Sequence, residues 1–541
     1  MRTSKTNQPS PRRFAGLTAI IFTALLVPPA LSQTAPPTAP PVAEIRTPKP
    51  ALTPRIHGPR VYGERPGRPF LYTIPATGND PITFKADGLP PGLWLDGKTG
   101  RITGSVANAG EFNVILTASN ALGNNSVPLL IKIGDTIALT PPLGWNSWNA
   151  FSGKVDQGKV QASADIMISS GLAKHGWTYI NIDDTWQGKR TGVDHALQAN
   201  DKFPDIAGLC DHIHSLGLKA GIYSTPWITS YAGFAGGSSN DPSGVWPPPR
   251  PRPATVAAAT TRPTTRGARG PRPVNREHQI GSTHFMQADA KQWATWGFDY
   301  LKYDWNPNLV PDINEMSDAL KASGRDIVYS LSNAAPFNTA ADYSKTANAW
   351  RTTGDIRDTW QSMTANGFSQ LRWQPYASPG HFNDPDMLVV GVVGWGTLHP
   401  THLTPDELYT HITLWCLLAS PMLLGNDMTQ LDDFTLNLLT NDEVLAVDQD
   451  ALGTEAGRIS QADNKEVWAK KLSDGSWAVG LFNRGADAAE VTVNMADLKL
   501  DGPQPVRDLW RQKALPDAQG SLTLKVASHG AEMVKIGVPS K

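Results

Sequence analysis

Tyr300-Leu301-Lys302-Tyr303-Asp304 is a short apolar run that ends on a carboxylate, and three other stretches of the chain are built the same way. They are Tyr179-Ile180-Asn181-Ile182-Asp183-Asp184, Trp350-Arg351-Thr352-Thr353-Gly354-Asp355 and His381-Phe382-Asn383-Asp384-Pro385-Asp386. A buried strand carrying a carboxylate at its C-terminal end is how a (β/α)8 barrel presents reactive groups. Several such ends aimed at one place point to a sugar site worked by two carboxyl groups.

The surrounding sequence supports a barrel over about 137–452. Further strand-like runs begin at Leu143, Ala220, Ile327 and Met422. Helical patterns separate them. Val160, Ala164, Met167 and Ile168 share one face, as do Ile206, Leu209, Cys210 and Ile213, and Ile313, Met316 and Leu320. Eight strand-then-helix units predict a TIM barrel. A doubly wound open sheet is the alternative, but no Gly-rich phosphate loop follows an early strand. An insertion at 232–285 contains Pro247-Pro248-Pro249-Arg250-Pro251-Arg252-Pro253 and no acidic residue between Asp241 and Glu277. It reads as a disordered basic loop, with contact to an anionic surface as the alternative.

The flanks have a different period. Phe112, Val114, Leu116 and Ala118 alternate, as do Leu129, Ile131 and Ile133, within a β-sandwich expected at 56–136. Its run from Gly88-Leu89-Pro90-Pro91-Gly92 to Thr103-Gly104 resembles immunoglobulin-like modules attached to secreted bacterial proteins. It shows no aromatic platform and so reads as a spacer. Alternation returns after Leu452, predicting a second sandwich at 453–541. Residues 33–55 are Pro-rich and read as an extended linker.

Residues 1–32 have the form of a signal peptide: Arg12-Arg13, an apolar run from Ala15 to Leu26, then small residues around Ala30 and Ser32. Export to the periplasm or outside the cell is expected, leaving no membrane segment after cleavage. A retained anchor is the alternative. The formal charge of −1 on 541 residues gives no global steering toward nucleic acid. Cys210 and Cys416 are far apart in apolar segments and read as buried free thiols.

Asp304 is the candidate nucleophile. Lys302, two positions earlier, shares its face of the strand, and a neighbouring ammonium favours an ionised carboxylate. Asp355, beyond a Thr-Thr-Gly segment and four residues after Arg351, is the candidate acid/base. Asp183, Asp184 and Asp386 suit sugar hydroxyls, which donate charge-assisted hydrogen bonds to carboxylates. Trp148 and Tyr223 are read either as pocket walls or as core. A metal competes for paired carboxylates, but His is sparse here: His381 lies inside its strand, and no His-x-x-x-His spacing occurs in these segments. No metal and no cofactor are expected, and the partner is a carbohydrate.

Six motifs carry a specific resemblance. Pro141-Pro142-Leu143-Gly144-Trp145-Asn146-Ser147-Trp148-Asn149, Asn181-Ile182-Asp183-Asp184-x-Trp186, Gly221-Ile222-Tyr223, Leu301-Lys302-Tyr303-Asp304, Trp350-Arg351-x-x-x-Asp355 and Asn383-Asp384-Pro385-Asp386-Met387-Leu388 occur in the order found in glycoside hydrolase family 27. The chain resembles the α-galactosidases of that family over about 139–541. The resemblance implies a retaining exo-α-galactosidase without a cofactor, with Asp304 as nucleophile and Asp355 as acid/base. Trp148, Asp183, Asp184, Tyr223, Lys302, Arg351 and Asp386 fall on the residues that hold the terminal galactose. Two departures stand out. A cysteine bridge near the nucleophile is absent, since Trp305 and Asn306 follow Asp304. In Tyr329-Ser330-Leu331-Ser332-Asn333-Ala334-Ala335-Pro336, Ser332 stands where typical α-galactosidases carry Glu. Ser332 with Ala335 matches the α-N-acetylgalactosaminidases instead. That activity, or β-L-arabinopyranosidase activity, is the alternative within the family, and a non-catalytic glycan-binding protein is the alternative outside it.

Overall fold

The computed structural model describes residues 44–245 and 278–537. The expected signal segment, most of the Pro-rich stretch and the centre of the insertion lie outside the described residues. Eight parallel strands form the central sheet. They are β1 (Leu143–Asn146), β2 (Tyr179–Asn181), β3 (Lys219–Ser224), β4 (Tyr300–Asp304), β5 (Val328–Ser332), β6 (Ala349–Arg351), β7 (Phe382–Asp384) and β8 (Met422–Leu424). Strands adjacent in sequence are adjacent in space, and β1 pairs with β8. Just past β7, Leu388 bridges to Leu424 of β8 and closes the ring. The barrel predicted from the strand-end carboxylates is therefore present, and the doubly wound sheet is not.

The two faces of each strand meet different surroundings. Tyr300, Val328, Met387 and Leu423 point inward and form a small core inside the barrel. Leu301, Tyr303, Tyr329 and Leu331 point outward into the large core beneath the helices. Both faces are buried, which explains the nearly continuous apolar runs. The helices include α1 (Gln157–Ser169), α2 (Ile206–Ser215), α3 (Met286–Trp296), α4 (Val310–Ala322), α5 (Ala340–Thr346), α6 (Trp360–Gly367) and α7 (Pro405–Leu417). Asp156 caps α1, and Thr404 with Glu407 forms a capping box on α7. Ile168 departs from expectation and is 37% exposed, while Val160, Ala164 and Met167 are buried. It lies about 80° round the helix from Val160, at the edge of the apolar stripe.

The N-terminal module has a four-stranded sheet of Val61–Glu64, Gly123–Ile133, Gly110–Asn120 and Thr83–Asp87, facing a three-stranded sheet. The alternating residues Val114, Leu116, Ala118, Leu129, Ile131 and Ile133 are all buried in its core. Beyond the barrel, an eight-stranded antiparallel sheet runs from Gly457–Ala462 to Ala531–Ile536. No described helix is long and apolar enough to cross a membrane.

The N-terminal module is not a free spacer. It docks on the end of the barrel where the strands begin. Lys219, at the start of β3, is half-buried, and its ammonium donates to the Tyr62 hydroxyl at 2.6 Å. Tyr62 in turn donates to Glu64 at 3.2 Å. Burial pushes the Glu64 carboxyl well up, against the pull of Lys219. Asp326, just before β5, accepts from the Arg65 backbone at 2.7 Å and from its guanidinium at 2.9 Å. The end of the Pro-rich stretch is docked as well. Arg46 lies 4.0 Å over the Tyr409 ring of α7 and donates to the Ala531 carbonyl of the C-terminal sheet. Asn437 pins Thr47 through both backbone groups. Local composition marked this segment as extended but said nothing of a binding groove elsewhere in the chain.

The edges of the insertion are ordered too: Ser238–Ser239 pairs with Thr283–His284. Cys210 and Cys416 are free and buried, as expected. Arg65→Ala strips Asp326 of a buried charged partner. It is expected to cost about 1.5–3 kcal/mol, seen as a lower melting temperature, with kcat/KM unchanged because Arg65 sits at the end of the barrel away from the strand-end carboxylates.

Candidate active site

Parallel register places the predicted residues side by side at the end of the barrel where the strands finish. Tyr223 pairs with Lys302, Asp304 with Ser332 and Arg351 with Asp384. Asn146, Lys302, Ser330, Ser332, Arg351, Asp384 and Asp386 line a common cavity at the barrel mouth. Trp148, half-buried, packs against the inner core.

Asp304 is 6% exposed. Its Oδ2 accepts from the Tyr223 hydroxyl at 3.1 Å. Its Oδ1 is buried and has no hydrogen-bond partner among the described residues. Lys302 does share the Asp304 face, but its ammonium is hydrogen-bonded to Asp183 at 2.8 Å. Burial pushes the Asp304 carboxyl up, Lys302 and Arg351 pull it down, and Asp183 and Asp355 push it up again. The net is about 6. Proximity to Lys302 led to the opposite expectation; desolvation of the carboxylate outweighs an ammonium already shared with Asp183.

Asp355 is the more open of the two candidates, with its side chain 54% exposed. Arg351 donates to it at 3.1 Å and lies 3.2 Å from Asp386. Burial pushes the Asp355 carboxyl up, but Arg351 and Lys302 hold it below the usual range. The two candidate carboxyls thus stand on opposite sides of their ordinary values. Asp386 is buried at φ +98°, and its Oδ2 accepts from the Ile356 backbone at 2.7 Å. Asp384, absent from the sequence-based candidates, supports it by accepting from the Asp386 backbone at 2.8 Å. Burial and the neighbouring Asp386 push Asp384 up to about 7.

Asp183 and Asp184 are buried. Asp184 accepts from the backbones of Thr185 and Ala232 and from Gln187, so both its oxygens are anchored. Ser332 is buried, and Arg351 reaches its hydroxyl at 3.4 Å. No acidic side chain stands at that strand end.

Tyr231 was missed by the sequence reading because it lies one residue before the insertion begins. It stands edge-on to Trp227 at 5.1 Å, and Asn333 acts on its hydroxyl. Burial pushes its phenol up, and the Asp304 and Asp355 charges add to this. An aromatic cluster after β3 thus walls the site on the side of the Ser332–Asn333 strand end.

The family model for α-galactosidase A matches residues 140–241 and 277–450, and its C-terminal β-sandwich model matches 462–536. The chain belongs to the α-galactosidase A family. An Ig-domain model matches residues 50–133. The chain is 36% identical over 430 residues to α-galactosidase 2 of Arabidopsis thaliana, covering 78% of this chain and 95% of that protein. Among solved structures, a candidate α-galactosidase/melibiase from Bacteroides fragilis superposes with a TM-score of 0.77 at 34% identity, over 92% of this chain and all of that one. A family 27 β-L-arabinopyranosidase from Geobacillus stearothermophilus superposes with a TM-score of 0.62 at 27% identity, over 74% of this chain and 97% of that one. Members of this family are glycoside hydrolases, and the chain is one of them.

Proposed function

We propose that the protein removes terminal α-D-galactosyl residues with retention of configuration, using Asp304 as nucleophile and Asp355 as acid/base. The observation that carries this reading is the state of Asp304. One oxygen is held by Tyr223, and the other is buried without a partner at the barrel mouth. That second oxygen attacks the anomeric carbon while Asp355 gives its proton to the departing glycosidic oxygen. The glycosyl ester on Asp304 is then cleaved by water, whose proton returns to Asp355. Two inversions at one carbon give net retention. Asp183, Asp184 and Asp386, with Lys302 and Trp148, hold the sugar. No step needs a metal or an organic cofactor.

The opposed carboxyls fit this cycle. Below about 6 the free pair carries one proton, residing on Asp304. The reactive arrangement needs it on Asp355. A sugar that draws Asp355 away from Arg351 leaves the guanidinium to Asp386 and makes Asp355 the better proton holder.

The α-N-acetylgalactosaminide reading rests on Ser332 and Ala335, both small and buried at the end of β5 and just beyond it. The Ser332 hydroxyl accepts from Arg351 at 3.4 Å. Galactose remains the preferred reading because the Arabidopsis relative, an α-galactosidase by name, is matched over 95% of its length.

Three measurements check these assignments. Asp304→Ala should abolish turnover, and added azide should restore part of it as the β-galactosyl azide; wild-type-like turnover would remove Asp304 from the mechanism. For the wild type, kcat/KM should fall about tenfold per pH unit as pH rises through about 6, because the pair then loses its single proton. Among aryl glycosides of galactose, N-acetylgalactosamine and arabinopyranose, the α-galactoside should show the highest kcat/KM; a higher value for either other sugar reassigns the substrate.

A further inference from the structure

Asp358 lies three residues beyond Asp355, on the loop between β6 and α6. His399 and His402 come from the segment between β7 and α7, His399 within the hairpin Val392–Val393/His399–Pro400 and His402 just after it. The three side chains each offer one donor atom, and these atoms all lie within 4.8 Å of one another. Asp358 Oδ2 is 2.8 Å from His402 Nδ1 and 3.8 Å from His399 Nδ1. The two imidazoles stack with centroids 4.6 Å apart. We propose that Asp358, His399 and His402 form a divalent-cation site for zinc on the rim of the barrel mouth, separate from the sugar site.

Charge and geometry support this assignment. The Asp358 carboxylate is 6% exposed, and the only cationic partners described for it are these two histidines. The His402 backbone N–H also donates to it, at 2.9 Å. A buried carboxylate needs compensation. One divalent ion held by the three donors compensates the carboxylate. Zinc bonds of 2.0–2.1 Å in a tetrahedral site put neighbouring donors roughly 3.3 Å apart, and the two distances here bracket that value. His399 Nδ1 also lies 2.9 Å from the Pro400 carbonyl, a contact the ring gives up on binding. The His399 and His402 side chains are 34% and 66% exposed, which leaves an entry path and room for a water ligand.

A second cluster has the same residue types and a different character. His57 and His175 share Asp442 between the N-terminal module and the barrel. It is buried, and the charges of Arg55 and Arg60 act on it. Two guanidinium groups beside the donors oppose a cation, so the rim site is the one chosen.

Position gives the rim site a consequence. Ile356 is tied to Asp386, and Arg357 stacks 4.7 Å over Trp395 of the hairpin segment. An ion at Asp358 adds another tie between the loop carrying Asp355 and the β7–α7 segment.

The test uses untagged full-length protein stripped with EDTA and titrated calorimetrically with Zn2+ at about pH 7.5, where free imidazole is neutral. One ion per chain is expected. His399→Ala, His402→Ala and Asp358→Asn should each weaken binding about tenfold or more. His399 and His402 sit in an exposed segment, so the metal-free melting temperature of their variants should stay unchanged. Co2+ in place of Zn2+ should give a visible absorption band in wild type that His402→Ala lacks. Absence of uptake, or equal uptake by His399→Ala, His402→Ala and wild type, overturns the proposal. So does uptake lost in His175→Gln but kept in His402→Ala, which would move the ion to the domain junction.

Discussion

The barrel mouth depends on two cations largely shielded from water. Lys302 pairs with Asp183, and Arg351 spans Asp355 and Asp386. Asp183, Asp184, Asp304, Asp384 and Asp386 are all nearly sealed from water. Carboxylates that close raise one another's affinity for protons, and burial adds to this. Lys302 and Arg351 offset that pressure, unevenly. Asp355, beside Arg351, stays below its ordinary range, while Asp304, whose lysine is committed elsewhere, rises to about 6. The unequal division of two positive charges leaves two chemically identical side chains on opposite sides of their ordinary range.

The ends of the barrel use buried charge in different ways. Where the strands finish, Lys302, Arg351, Asp384 and Asp386 line a cavity, and part of the hydrogen-bonding capacity there is unspent, as with Asp304 Oδ1 and Asp386 Oδ1. Where the strands begin, Lys219, Glu64 and Asp326 are matched to partners across a domain boundary. Saturated contacts there hold the N-terminal module in place, and unsaturated ones at the mouth leave room for a ligand. The docking of Arg46 between α7 and the C-terminal sheet extends the same saturation to the third domain.

Much of this was legible in the residue pattern. Tyr300 to Asp304 showed a strand with a carboxylate at its end, and repetition of that pattern in barrel order brought Asp183, Asp304, Asp355 and Asp386 to one mouth. The helices of Ile206–Ser215 and Val310–Ala322 followed from their apolar spacing. Ile168 failed at the margin of such a stripe, where periodicity decides least. Tyr231 and Asp384 were not found, one because it borders a low-complexity insertion, the other because its role is to support a neighbour. The contact of His399 and His402 with Asp358 joins segments about forty residues apart, which no local period signals.

The sequence by itself determined the strand ends, the helical faces, the two flanking sandwiches and the family. All of these rest on spacing along the chain, because side-chain direction repeats every two residues in a strand and every 3.6 in a helix. Only the tertiary structure decided that Lys302 serves Asp183 before Asp304, that the N-terminal module caps the barrel, and that the Pro-rich stretch ends in a groove. Those outcomes depend on which charges meet after folding and how far water is excluded from them. Neither quantity is carried by the order of residues alone.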